Sequence, residues 1–289
     1  MRFFKLHRKL ISSILIILAF FISAFFILYS IFIPEHSKFA FAKERHVILF
    51  AHRGQISSAP ENTYESVLLA QKQGFEAVEI DIRYTKDKEL VLFHDETMKR
   101  LLGDDRKLED ATYSEIKKKN IIWNNETTSS KVVKLERIFQ DFPKLYYYLD
   151  IKTPTNENIE NLVSLINKYN MEDKVIVAHA KLFKQIRFKI KHHEIANALE
   201  GFNSGYERWI GLIPKKLRPD FYSSFIYKTD DKQISKFKEK GLLNRKIVYD
   251  VNKENIDKAI NHYGLQYLII DIDSIPSTIK YNIRKYNGK

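Results

Sequence analysis

A short stretch of the chain concentrates groups that suit acid–base and phosphate chemistry: His52, Arg53, Glu79, Asp81 and His94. Imidazoles have an ordinary pKa near 6.5, so one histidine can accept a proton while the other donates one. The planar guanidinium of an arginine matches the oxygens of a phosphate. Paired carboxylates offer only oxygen ligands, which suit Ca²⁺ or Mg²⁺ better than zinc. Together these are the groups that hydrolysis of a phosphodiester requires.

The two carboxylates must share one face of a strand to act together. Glu79 and Asp81 are two residues apart on a predicted strand, so their side chains point the same way and need a cation between them. For this pair alone, outward-facing acids on a solvated edge strand are the alternative. Asp150 and Lys152 repeat the spacing on a later strand and offer a third metal ligand and a phosphate contact. An ordinary ion pair is the alternative for them.

The elements that carry these residues predict an α/β architecture. Apolar, β-branched runs indicate strands at Val47–Phe50, Ala77–Ile82, Leu90–Phe93, Tyr146–Ile151, Val175–Ala178, Glu194–Leu199, Lys246–Val251 and Tyr267–Ile272, with Phe221–Phe225 as a ninth candidate. Amphipathic patterns between them predict helices at Asn156–Tyr169, Asp230–Lys240 and Asn252–Tyr263. Alternating strands and helices favour a parallel sheet, and the length of about 247 residues after residue 42 is typical of a (β/α)₈ barrel.

One connection is too short for that pattern. Only the residues from Ile82 to Glu89 separate Asp81 from Leu90, which is too few for a helical crossover between parallel strands. We expect a parallel strand that lacks its helix, because this keeps His94 beside the acids. An antiparallel hairpin is the alternative, and it would be expected to carry His94 away from them.

The N-terminal segment predicts a transmembrane helix. Leu10–Ile33 contains no charge and would extend about 36 Å as a helix, enough to span a bilayer. Basic residues precede it, so the positive-inside rule predicts a single-pass cell-membrane protein with an extracytoplasmic domain. The predicted division is a basic cytoplasmic tail 1–9, an anchor 10–33, a linker 34–45 and one barrel domain 46–289. The alternative is secretion after cleavage near Ala42, because Ala40-Phe41-Ala42 fits a signal-peptidase site.

The composition narrows the possible partners. The absence of cysteine excludes disulfides, thiolate chemistry and zinc–cysteine sites. A net charge of +12 suits anionic partners such as phospholipid headgroups or phosphate polymers, although scattered lysines are also an ordinary solvated surface. No nucleic-acid-binding motif accompanies the charge, so nucleic acid is not expected. The oligomeric state stays open.

The order of these motifs resembles the glycerophosphodiester phosphodiesterase family. The matching segments are His52-Arg53-Gly54, Pro60-Glu61-Asn62-Thr63, Glu79-x-Asp81, Thr85-x-Asp87, His94-Asp95, Leu135-Glu136 and Asp150-Ile151-Lys152. The similarity is dense from residue 51 to 95, recognisable to 152 and weak afterwards.

The resemblance implies an irregular (β/α)₈ TIM barrel that cleaves glycerophosphodiesters, or a glycerol-phosphate polymer, to sn-glycerol 3-phosphate and an alcohol. It implies an acid–base pair, His52 and His94. It also implies one divalent cation, Ca²⁺ or Mg²⁺, on Glu79, Asp81 and Asp150. Substrate contacts are expected from Arg53, Lys152, Glu61 and Tyr249.

Departures from the family pattern leave the leaving alcohol open. Asp150 is one methylene shorter than the usual glutamate, and His179-Ala180 stands where the family tends to have Ser-Phe. The late Trp-Thr-x-Asn pattern reads Tyr249-Asp250-Val251-Asn252, and the final Thr-Asp segment reads Ile270-Asp271. The alternatives are a phospholipase C or D that acts on intact lipid, and a catalytically weak or non-catalytic binder of phosphorylated polyols.

Overall fold

Eight parallel strands close into a barrel in the computed structural model, which describes residues 2–32, 39, 47–202, 210–272 and 275. In order around the barrel they are β1 (Ile48–Ala51), β2 (Ala77–Tyr84), β6 (Tyr146–Ile151), β7 (Val175–His179), β8 (Ala196–Leu199), β9 (Phe221–Phe225), β10 (Lys246–Val251) and β11 (Tyr267–Ile270). Strand β11 pairs with β1 and closes the ring. The predicted TIM barrel is confirmed.

Helices surround the barrel or precede it. They are α1 (Arg2–Phe32), α2 (Tyr64–Lys72), α3 (Lys99–Leu102), α4 (Tyr113–Ile116), α5 (Leu135–Asp141), α6 (Asn156–Lys168), α7 (Leu182–Lys191) and α8 (Asp231–Glu239). The side chains of Thr63, Thr155 and Asp230 each accept a backbone N–H and cap α2, α6 and α8. The third predicted helix forms only in part, with a π-helical turn at Lys258–His262. A small hairpin joins β4 (Ile122–Trp123) to β5 (Glu126–Thr127).

The N-terminal helix α1 has the length and composition of a membrane span. Its segment Ile11–Leu28 has a mean hydropathy of 2.8, and none of it is buried inside the protein. The predicted linker 34–45 and the cleavage site at Ala40–Ala42 lie outside the described residues, except for Phe39.

The expectation of a parallel third strand is wrong. Strand β3 (Leu90–Leu92) pairs antiparallel with β2 and lies outside the barrel. Strand β9 is the eighth strand of the barrel instead. Strand β2 continues to Tyr84, two residues beyond its predicted end, before the chain turns back. The residues that follow β3 therefore lie beside Asp81, and the Phe93 N–H donates to the Asp81 carbonyl at 3.0 Å. The hairpin brings His94 to the carboxylates instead of carrying it away.

Aromatic side chains close the end of the barrel at which the strands begin. Phe39 is 1% exposed and makes edge contacts with Tyr146 and Phe221, each at a ring-centroid distance of 5.8 Å. These two residues begin β6 and β9, so Phe39 lies at the N-terminal end of the barrel. Small inward-facing side chains, Ala178 and Ala198, lie nearer the opposite end and leave room there.

Candidate active site

The C-terminal ends of the strands enclose a cavity of about 310 Å³, near the lower limit for small-molecule sites. Its lining includes every predicted site residue except Glu61: His52, Arg53, Glu79, Asp81, His94, Asp150, Lys152 and Tyr249. It also includes residues that the sequence reasoning did not select, namely Tyr148, Glu200, Phe225, Asp250 and Ile269. The arrangement gathers acids, bases and cations at one end of the barrel.

His52 follows β1 and is held by acids on two sides. Its Nδ1 lies 2.8 Å from Asp271 Oδ1, and its Nε2 lies 3.8 Å from Glu79 Oε2. Burial alone would lower the pKa of His52. The hydrogen bond with Asp271 and the charges of Glu79 and Asp271 outweigh burial and raise that pKa to about 9. The imidazole therefore carries a proton at neutral pH and can donate it.

His94 approaches from the β2–β3 hairpin and is oriented by Asp95. Its Nδ1 lies 2.8 Å from Asp95 Oδ1, and its backbone carbonyl accepts a hydrogen bond from Arg83 Nε at 2.9 Å. Hydrogen bonds from Arg100 lower the pKa of Asp95 to about 2. Asp95 thus stays ionised and keeps its partner in one orientation.

Glu61 lies behind the cavity and joins two arginines. Arg53 Nη1 donates to Glu61 Oε1 at 2.9 Å, and Arg100 Nη1 and Nη2 donate to its two oxygens at 2.9 and 2.7 Å. Arg100 also donates to Asp95, which orients His94. A continuous hydrogen-bond network therefore links Arg53, the neighbour of His52, to Asp95. Glu61 therefore supports the site without lining it.

The turn after β1 presents a backbone donor to Glu79. Arg53 has a φ of 54°, and its N–H donates to Glu79 Oε2 at 2.9 Å. The next residue, Gly54, has a φ of +78°, and a Cβ there would lie 2.4 Å from Ser66 Oγ, so no other residue fits. Burial and the neighbouring Asp81 raise the pKa of Glu79 to about 7.

Asp81 is held by three side chains. It accepts hydrogen bonds or ion pairs from Lys152 Nζ at 2.7 Å, Asn62 Nδ2 at 2.8 Å and Arg53 Nε at 3.3 Å. Burial would raise its pKa, but the charges of Lys152 and Arg53 outweigh burial and lower it. Lys152 also donates to Asp150, which faces Asp81 across the β2–β6 pair. The lysine ammonium therefore links two of the predicted metal ligands.

The donor set fits a hard divalent cation in its chemistry. Glu79, Asp81 and Asp150 offer only carboxylate oxygens, and the last two occupy paired positions on adjacent strands. No three histidine or acidic side chains of the described residues form a ready metal centre. The Lys152 ammonium pairs with both Asp81 and Asp150.

Glu200 is a fourth acid of the cavity, and it follows β8 directly. Its Oε1 accepts the Tyr148 hydroxyl at 3.0 Å, and that hydroxyl also lies 2.9 Å from Ser223 Oγ. Burial and the charge of Asp150 raise the pKa of Glu200 well above its usual range. Strand alternation through Ala196 and Ala198 would have found it, because position 200 is the next one on the inward face.

An aromatic wall faces the acids. The rings of Phe225 and Tyr249 lie 4.2 Å apart between centroids, and Tyr227 lies 4.8 Å from Phe225. Burial raises the pKa of Tyr249 to about 12, so its hydroxyl keeps its proton. Asp250 follows with a φ of 66°.

His179, which belongs to the segment that differs from the Ser-Phe of the family pattern, does not line this cavity.

Comparison with known proteins finds a matching family and similar sequences. Residues 52–272 match the sequence model of the glycerophosphoryl diester phosphodiesterase family. A glycerophosphodiester phosphodiesterase of Caldanaerobacter subterraneus is 29% identical over 138 residues, covering 45% of this chain and 57% of that protein. A lysophospholipase D of Homo sapiens is also 29% identical over 138 residues, covering 45% and 44%. The chain spans about half the length of these curated relatives.

Solved structures share the fold. A phosphodiesterase of Oleispira antarctica in complex with the product sn-glycerol-3-phosphate superposes with a TM-score of 0.71 at 22% identity, covering 86% of this chain and 100% of that one. A glycerophosphodiester phosphodiesterase of Thermotoga maritima superposes with a TM-score of 0.60 at 25% identity, covering 78% and 95%.

Proposed function

Because the chain belongs to the glycerophosphoryl diester phosphodiesterase family, we propose that it hydrolyses glycerophosphodiesters to sn-glycerol 3-phosphate and an alcohol. The observation that carries the proposal is the meeting of His52 and His94 in one cavity with the three predicted metal-ligand carboxylates and with the side chains of Arg53 and Lys152. Relatives with the names glycerophosphodiester phosphodiesterase and lysophospholipase D support a phosphoric diester hydrolase.

The acid and base roles follow from the partners of the two histidines. Asp271 and Glu79 stabilise the charged form of His52, which suits it to protonate the oxygen of the leaving alcohol. His94 is then the base that takes a proton from the attacking oxygen. In direct hydrolysis that oxygen is water: its P–O bond forms as the P–O bond to the alcohol breaks, His94 gains the proton of the water and His52 gives its proton to the alcohol. In the alternative, the substrate's own hydroxyl attacks first and releases the alcohol, and water then opens the resulting cyclic phosphate to glycerol 3-phosphate.

The cationic side chains bind the phosphate. Arg53 and Lys152 line the cavity on the side of the carboxylates, so they can contact the oxygens that do not react. A divalent cation, Ca²⁺ or Mg²⁺, held by Glu79, Asp81 and Asp150 would polarise the phosphoryl group and stabilise its developing charge. Tyr249 forms the wall beside the departing alcohol.

The membrane arrangement is part of the proposal. We place residues 1–9 in the cytoplasm, 10–33 in the membrane, 34–45 in a linker and 46–289 in an extracytoplasmic catalytic domain. The apolar span Ile11–Leu28 and the basic residues before it support this arrangement.

A turnover assay tests the chemistry. The full chain is incubated in detergent with glycerophosphocholine, glycerophosphoglycerol and a glycerol-phosphate polymer, each with chelator and with added Ca²⁺ or Mg²⁺. We expect release of glycerol 3-phosphate that the chelator abolishes and the ion restores. His52→Ala and His94→Ala should each lose turnover by about 10²-fold or more, whereas the exposed control His262→Ala should not. Full turnover in both site variants would refute the acid–base assignment. Binding of all substrates without turnover would favour the polyol-phosphate binder.

A further inference from the structure

We infer that the chain holds its barrel with the closed end toward the bilayer, so that the cavity takes glycerophosphodiesters from the aqueous side. The substrate class is therefore water-soluble or polymeric diesters, and lysophospholipids that stay in the same membrane are excluded. This inference rests on the proposed function and on the proposed membrane anchor.

Phe39 fixes the chain to the closed end of the barrel. Its buried ring packs between Tyr146 and Phe221, which begin two of the barrel strands. Apolar side chains at the starts of other strands, Ile48 and Tyr267, belong to the same cluster. A chain that comes from the membrane must therefore first reach this end of the barrel.

The chain between the helix and Phe39 is short. Helix α1 ends at Phe32, so seven residues lead to the Phe39 ring. Fully extended, they reach at most about 25 Å. The helix also lies against the turn Lys215–Leu217, which leads into the starting end of β9. Both observations place the membrane anchor near the closed end.

The mouth of the barrel is too far away to face the same bilayer. A compact domain of about 240 residues is about 46 Å across, so a path over its surface from one end to the other is about 70 Å long. The seven residues that lead from helix α1 to Phe39, which we call the tether, cover only about a third of that path. Along β6, the six steps from Tyr146 to Lys152 add about 20 Å between the Phe39 cluster and the cavity. A molecule embedded in the bilayer cannot span this distance, whereas a soluble diester or a polymer that extends from the surface can.

Single-cysteine probes test the orientation without any need for activity. The chain contains no cysteine, so each variant carries one label. Lys144→Cys marks the closed end, because Lys144 is exposed two residues before β6, and Tyr227→Cys marks the mouth, where Tyr227 is 65% exposed just after β9. Full chains in nanodiscs with acceptor-labelled lipid headgroups should show strong energy transfer from position 144 and weak transfer from position 227. Equal transfer, or stronger transfer from position 227, would overturn the inference.

A linker variant tests the consequence for substrates. The full chain in vesicles should hydrolyse added glycerophosphocholine at least tenfold faster than lysophosphatidylcholine that resides in the same bilayer. Inserting 30 Gly/Ser residues between 35 and 36 adds a coil of about 30 Å root-mean-square length and permits full reversal of the domain. This variant should gain at least tenfold in lysophosphatidylcholine hydrolysis with no change toward glycerophosphocholine.

The same segment inserted before Arg2, on the cytoplasmic side, is the matched control and should change neither rate. If the unaltered chain cleaves the embedded lipid as fast as glycerophosphocholine, or if the longer linker brings no gain, the tether does not select the substrate. If no diester is cleaved at all, the proposed function fails, and the probe distances still decide the orientation.

Discussion

Asp271 Oδ1 lies 2.8 Å from His52 Nδ1, although the two residues are separated by almost the whole domain sequence. Closure of the barrel brings them together, because His52 follows β1, Asp271 follows β11, and these strands pair in parallel. The contact fixes one ring nitrogen and directs the other toward Glu79. The acid that follows the last barrel strand thus raises the pKa of the histidine that follows the first barrel strand.

Removing the charge of Asp271 should therefore weaken the acid role of His52. In Asp271→Asn we expect kcat to fall by about 10-fold to 100-fold, because general acid catalysis is worth about 10² to 10⁴ in rate. The alkaline limb of the pH–rate profile should move from about 9 toward the ordinary histidine value, since the proton is then lost at lower pH. The surface pair Asp231–His262 supplies the control Asp231→Asn, which should leave the profile unchanged. An unshifted limb in Asp271→Asn would contradict this role.

The barrel could be predicted because strand and helix patterns alternate along the chain. The inward-facing acids could be predicted because side chains alternate between the two faces of a strand. Glu79, Asp81 and Asp150 are found by the two-residue period alone. The direction of β3 could not be found in this way, because it depends on how far β2 extends past the barrel rim. The His52–Asp271 contact could not be found either, since it depends on which strands close the ring.

Arg100 should act as a positioning residue for His94. It binds Asp95 and Glu61 with four hydrogen bonds, and Asp95 in turn holds His94 Nδ1. In Arg100→Gln we expect kcat to fall by about 10-fold to 100-fold with KM almost unchanged, because misplacement of a catalytic group costs rate at the chemical step. The control is Arg106→Gln, a surface arginine with a similar pair of acidic partners. An equal loss in both variants would indicate general destabilisation instead.

Lys152 should stabilise the protein when no divalent cation is bound. Its ammonium pairs with Asp81, which is 2% exposed, and with Asp150. In Lys152→Met, Asp150 loses its cation and Asp81 keeps only Arg53, and breaking a buried pair in this way costs about 3 to 5 kcal/mol. Thermal unfolding should show a lowered Tm in chelator and a larger gain from Ca²⁺ or Mg²⁺ than in the unaltered protein. An identical gain in both proteins would mean that the ion binds elsewhere.

Glu200 should serve the site as a neutral carboxyl group. Burial beside Asp150 raises its pKa well above the usual range, and its Oε1 accepts the Tyr148 hydroxyl. Glu200→Gln keeps an oxygen acceptor and adds no charge, so turnover should fall less than about threefold at neutral pH. The turnover of Glu200→Ala should fall further, because the Tyr148 hydroxyl then loses this acceptor. A loss of divalent-cation affinity in Glu200→Gln, measured by calorimetry, would instead identify an ionised ligand.

His179 should make the domain sensitive to acid. Its Nδ1 accepts the Lys181 N–H at 2.6 Å, and burial lowers its pKa to about 4. An unfolded chain binds this proton near pH 6.5, so between about 6.5 and 4 the unfolded state binds more protons and stability falls as the pH falls. In His179→Asn the side-chain oxygen keeps the acceptor and removes the titration, so Tm should fall by a few degrees less over this range. The test is Tm measured from pH 7 to 4 for the unaltered protein, for His179→Asn and for the exposed control His262→Asn. Parallel curves for all three proteins would assign the acid sensitivity to other groups.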